Sequence, residues 1–153
     1  MDSMRKDINA LVSLCREFGT EEYVIAGGGN ASVKTDSTLL VKASGEMMSR
    51  ARRDSFVALD RRLLAGIVTN PLPDDPELRE TAVKHSLAQA IVDKVRQRRP
   101  SVEAPLHTII DKKFVVHTHP PLVNGMTCAR GGKKACRRLF PRALWIPYAD
   151  PGY

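Results

Sequence analysis

Apolar positions Ile8, Leu11, Val12, Cys15 and Phe18 recur at the spacing of one helical face, and Gly19 follows where a helix end favours positive φ. The chain therefore opens on an amphipathic helix. After Tyr23-Val24-Ile25 comes a glycine-rich loop at 27–30, then Ser32-Val33-Lys34, a polar turn, and the apolar run 39–41 ending at Ser44-Gly45, a pattern that predicts a hairpin with glycine-rich edges. Residues 56–59 predict another short strand. Asp75 as N-cap, Pro76 at the first helical position and Glu77 in the first turn predict a long helix. Its apolar stripe is Val83, Leu87, Ala90, Ile91 and Val95, and it must end before Pro100. A short helix starts at Pro105, a buried strand spans 114–119, helices follow near 121–130 and 132–140, and a last strand is expected at 143–146 before a turn at 150–153. This periodicity establishes α and β elements in one domain over 1–153, with no internal repeat.

The run Phe114-Val115-Val116-His117-Thr118-His119 carries the most chemistry. Alternate side chains of a strand share a face, so the imidazoles of His117 and His119 point the same way, roughly 6.5 Å apart at the backbone. That separation lets both rings converge on one Zn²⁺ through bonds of about 2.0–2.1 Å. Two histidines packed in a Val-rich strand without a metal would each need another polar partner. Glu103, a short way upstream, is a candidate proton carrier, and His107, one turn after it, a candidate support for the ligands.

Asn30, Ser32, Ser44 and Gly45 supply the donors and backbone freedom of an anion-binding turn. The glycines at 27–29 precede a strand instead of opening a helix, which excludes a dinucleotide fingerprint or a P-loop.

Composition narrows the class. With 42% apolar and 27% charged residues the 153-residue chain is ordinary for a globular domain. The net charge of +7 comes partly from clusters at Arg50, Arg52 and Arg53, at Arg96, Arg98 and Arg99, and at Lys133, Lys134, Arg137 and Arg138. Aromatics are only 5%, and no stacking platform lies near these clusters, so they are read as solvated faces or a steering field for anionic substrates, and nucleic acid is disfavoured as a partner. Cys15, Cys128 and Cys136 form neither a CxxC pair nor an even disulfide set, which fits a reducing cytoplasm. No signal-peptide pattern or run of ~20 apolar residues is present, so no membrane association is expected.

In order along the chain, GGGNASV, LLVKASGE, RPSVEAPLH, FVVHTHPPLVNG and LWIPYADPGY resemble the class II aldolase/adducin family, in particular its fuculose- and rhamnulose-phosphate aldolase-like members, from about residue 8 to the last residue. The resemblance implies a three-layer α/β/α domain around a mixed, mainly antiparallel sheet, assembled as a homotetramer. It implies a zinc-dependent lyase that cleaves or forms a carbon–carbon bond in a sugar phosphate through a metal-bound enediolate. His117 and His119 would ligate the zinc, one ion per site, and Glu103 would move the proton. Asn30, Ser44, Gly45 and Ser101 would hold the substrate phosphate, with Ser32 a further candidate. Val102 departs from a second serine found in some members. The third zinc-ligating histidine of the family, which lies beyond the PYADPGY-like segment, has no counterpart, so the domain is expected to be C-terminally incomplete. Related family activities, a sugar-phosphate epimerase or a methylthio-sugar-phosphate dehydratase, would use the same site. A non-catalytic adducin-like interaction module would not need the Glu103, His117 and His119 set.

Overall fold

The computed structural model of the chain describes residues 2–94 and 98–148. Helix α1 (Asp2–Glu17) leads into a four-stranded sheet of β1 (Asn30–Lys34), β2 (Thr38–Lys42), β3 (Phe56–Asp60) and β4 (Phe114–His117) in the order β3-β2-β1-β4. The expected dominance of antiparallel pairing extends to all three ladders. Helices α2 (Arg61–Thr69), α3 (Pro76–Gln89), α4 (Ala104–Ile109), α5 (Pro121–Cys128) and α6 (Gly132–Leu139) complete the described elements, with a 3₁₀ turn at Met48–Arg50.

Strand alternation sorts the core into two layers. Ala31, Val33, Leu40 and Phe56 meet Leu11 and Cys15 of α1 on one face of the sheet. Leu39, Val41, Val57 and Leu59 meet Leu64 and Ile67 of α2, Val83 and Leu87 of α3 and Ala104 of α4 on the other. Each fully buried Leu or Val contributes about 1.5–3 kcal/mol relative to exposure. The fold is thus α/β/α, with Ser32, Val115 and, one pair further along, Asn30 and His117 on the face that carries α4.

Three expectations need correction. Residues 143–146 form no strand, because β3 and β4 are the sheet edges and neither pairs with that segment among the described residues. Strand β4 stops at His117, leaving His119 beyond its end. The long helix stops at Gln89: Ile91 bridges Leu59 and the Val92 N–H donates to the Ala58 carbonyl at 2.9 Å, so pairing to the open edge of β3 competes successfully with another helical turn. The expected turn at 150–153 and Val95 lie outside the described residues. Helix α2 was not anticipated. Asp60 caps it, accepting from the backbone N–H groups of Arg62 and Leu63.

Two buried lysines fix the connections that matter for the site. Lys34 Nζ donates to the carbonyls of Ile110 (2.6 Å) and Lys112 (2.9 Å), latching the link between α4 and β4 onto β1. Lys42 Nζ donates to the carbonyls of Ala43 and Glu46, bracing the turn that contains Ser44 and Gly45. Gly29, at φ +70, leaves no room for a side chain: a Cβ there would lie 2.9 Å from the His117 carbonyl oxygen and 2.5 Å from Val24. Glycine at this point lets β1 begin beside the end of β4, which sets Asn30 opposite His117. Among the described residues no helix is long and apolar enough to cross a membrane.

Candidate functional site

The site forms where β1 begins and β4 ends, beneath the start of α4. Glu103 occupies the N-cap position of α4, with Pro105 in the first turn. The His107 N–H donates to the Glu103 carbonyl at 3.2 Å, so the acid and His107 are one helical turn apart. His117 is the last residue of β4, and the His119 N–H beyond it is anchored on the Tyr23 carbonyl at 2.9 Å.

His117 Nε2 and His119 Nε2 face each other at 2.9 Å, with ring centroids 4.6 Å apart. One imidazole must donate and the other accept at this distance, so the pair shares one proton. Convergence of the two rings was legible in the sequence, although the turn after β4, not strand alternation, produces it. Glu103 Oε1 lies 3.2 Å from His117 Nδ1, an ion-pair contact whose alignment falls short of a hydrogen bond. Glu103 Oε2 accepts from Asn30 Nδ2 at 3.1 Å and from Ser101 Oγ at 3.4 Å. Donor atoms of Glu103, His117 and His119 all lie within 4.8 Å of one another.

The electrostatics follow from these contacts. The neighbouring His117, aided by the Asn30 amide and His119, holds the Glu103 carboxyl down at about 2 against the burial that opposes it. Glu103 in turn raises His117. Burial pushes His107 down to about 4 from 6.5, and the charge on His117 adds to this.

The remaining expected site residues divide into three settings. Asn30 and Ser101 touch Glu103 directly. Ser44 and Gly45 sit on an exposed turn tied to the 99–101 segment by the Ser44 N–H to the Arg99 carbonyl (3.0 Å) and by an Ala43–Pro100 bridge. Gly45 has φ +82. Ser32 is buried, its Oγ 2.8 Å from His107 Nδ1, which leaves His107 Nε2 buried without a hydrogen-bond partner among the described residues. His85 is exposed on α3, 2.9 Å from Gln89, and takes no part. The Asn30–Glu103 bond and the Lys34 latch were not foreseen. A lysine two residues after Ser32 and next to Val33, at the end of a short strand, was the available signal for the latch.

His107 makes a pH prediction. The unfolded imidazole takes a proton below pH 6.5, while the buried one resists until about 4, so folding loses stability as pH falls through that window. Glu103, depressed from 4.5, contributes fully above pH 4.5 and loses its share only toward pH 2. His117, raised from 6.5, contributes fully below 6.5 and loses its share as pH rises through its folded value. Between pH 6.5 and 4.5 His107 alone of these three changes. A loss of about 2 kcal/mol across that interval is expected from urea midpoints, and His107→Gln should flatten the profile.

The arrangement suits a divalent cation. In tetrahedral zinc sites with Zn–N bonds of about 2.0–2.1 Å, ligand nitrogens stand about 3.3–3.4 Å apart, a few tenths of an ångström more than the His117–His119 gap. Two imidazoles and one carboxylate also match the usual three protein ligands of a catalytic site.

The model of the Class II Aldolase and Adducin N-terminal domain matches residues 9–153. A Bacillus subtilis (strain 168) protein named "Uncharacterized oxidoreductase YuxG" is 28% identical over 159 residues, which take in 97% of this chain but only 22% of that relative. Among solved structures, the N-terminal class II aldolase domain of a conserved protein from Thermoplasma acidophilum superposes with a TM-score of 0.82 at 25% identity, covering 96% of this chain and 70% of that one. L-fuculose-1-phosphate aldolase from Thermus thermophilus gives 0.42 at 17% identity, over 79% of this chain and 52% of that one, too slight a likeness to add to the fold.

Proposed function

Because this chain belongs to the family of class II aldolase and adducin N-terminal domains, we propose that it acts as a zinc-dependent lyase that makes or breaks a carbon–carbon bond in a sugar phosphate. The convergence of Glu103, His117 and His119 on one point supports this reading most strongly. His117 Nε2 and His119 Nε2 would hold the ion, replacing their shared proton, and a Glu103 oxygen would supply a third donor until substrate displaces it. Bound zinc acts as a Lewis acid that makes the carbon beside a carbonyl more acidic.

Glu103 moves the proton at that carbon. A carboxylate held near 2 is a weak base, so the transfer requires Glu103 to leave His117. Substrate that displaces it from the histidine and shields it from water raises its proton affinity toward the useful range. Asn30 and Ser101 guide the carboxylate through this movement, since both already hold Oε2. Ser101, Ser44 and Gly45 would hold the phosphate, using hydroxyls and the N–H of the glycine turn, with Asn30 at the border of both groups. Ser32 supports His107 rather than touching phosphate, and His107 packs behind His117 with ring centroids 6.5 Å apart. By the same family reading the domain works in the cytoplasm as a homotetramer. Exposed Leu122, Leu144, Ile146 and Tyr148 offer apolar surface for such contacts.

The test is hydrogen exchange in D₂O. A ketose phosphate incubated with zinc-loaded protein should gain deuterium at the carbon beside the carbonyl, and EDTA should stop it. No exchange by fully loaded protein across a panel of ketose phosphates defeats the reading. A change of configuration or loss of water without carbon–carbon cleavage would instead identify an epimerase or a dehydratase.

A further inference from the structure

We propose a second, separate site: the cleft between α1 and the loop after the 3₁₀ turn binds a small molecule bearing phosphate or polyphosphate. The cleft measures about 570 Å³, and Arg16, Arg52 and Arg53 line it together with Asn9, Ser13 and Asp54. It lies on the α1 side of the sheet, opposite the face that carries α4 and Glu103.

Two of the arginines are held in place by one nitrogen each. Arg16 Nε, from the helix, donates to the Ala51 carbonyl at 3.2 Å, and Arg53 Nε, from the loop, donates back to Asn9 Oδ1 at 2.8 Å. These reciprocal ties join the two walls. They also leave the terminal nitrogens of both guanidiniums without protein partners among the described residues, and those are the donors that grip phosphate in bidentate fashion. Arg52 uses its backbone N–H for Ser55 Oγ (3.1 Å), while its side chain has no hydrogen bond or ion pair among the described residues. Among the described residues Asp54 is the one acid in the lining, and it lies 3.6 Å from Arg98 Nη2. Three cations therefore face the cleft against one partly neutralised anion. The volume falls in the range of small-molecule sites. Among the described residues no aromatic ring lines the cleft, so it lacks the stacking platform of a single-stranded nucleic-acid groove.

The experiment is calorimetric titration with inorganic pyrophosphate at physiological salt, with EDTA present so that no metal at His117 and His119 recruits the probe. One pyrophosphate should bind per chain. Arg16→Ala with Arg53→Ala should weaken it by about tenfold or more, the scale of losing charge-assisted hydrogen bonds. Arg52→Ala, which removes no side-chain hydrogen bond or ion pair among the described residues, should weaken it by about threefold or more and decides the matter if the double variant does not fold. Arg137→Ala with Arg138→Ala on α6 removes equal charge elsewhere and should leave affinity within about twofold. Absence of binding, equal loss in the α6 variant, or full affinity in the cleft variants would each overturn the proposal.

Discussion

Glu103→Gln is expected to slow deuterium exchange on a ketose phosphate by about 10²–10⁴-fold, the usual contribution of a positioned acid–base group. The amide keeps the shape of the carboxylate and can still accept from Asn30 and Ser101, so the fold and the α4 N-terminus should survive. It cannot take a proton. Zinc stoichiometry under saturating metal should remain intact, because both imidazoles persist and the glutamine amide oxygen can stand in as a weaker third donor. The substitution also removes the charge that raises His117, so the pH at which the metal is lost should move downward. A variant that exchanges at the original rate would remove Glu103 from the mechanism.

His117→Ala should abolish stoichiometric zinc and, with it, metal-dependent exchange. One imidazole and one carboxylate remain after the change, fewer than the three protein ligands a catalytic zinc normally takes. The effect should be selective. His117 is only partly buried at the end of β4, so truncation removes little packing, and the circular dichroism spectrum should be that of the parent. His85→Ala on exposed α3 serves as the control and should leave metal content unchanged. Unaltered zinc in His117→Ala would contradict ligation by that residue.

How far the sequence discloses this site depends on the range of the interactions. The hairpin, α1 and the start of α3 were legible because periodicity, Asp75 and Pro76 act locally. The three groups that meet at the site were legible as residue types: two histidines two positions apart, and an acid ahead of a proline-started helix. What remained hidden was set by distant partners. The end of α3 is decided by pairing of Ile91 with Leu59. The setting of Glu103 depends on Asn30, 73 residues away. Ser32 and Asn30 look alike as polar residues near a glycine loop and share one face of β1, yet Ser32 meets His107 while Asn30 meets Glu103. The expected strand at 143–146 failed for a related reason: an apolar run becomes a strand only where a sheet edge accepts it, and β3 and β4 are the edges here.

The most direct test of the metal site is zinc titration of the chelator-treated chain, followed through the imidazole ¹⁵N signals. One equivalent should saturate the protein and move the Nε2 signals of His117 and His119 together, while His85 keeps its position. Substoichiometric uptake, or saturation that leaves either of those two nitrogens unmoved, would contradict the assignment.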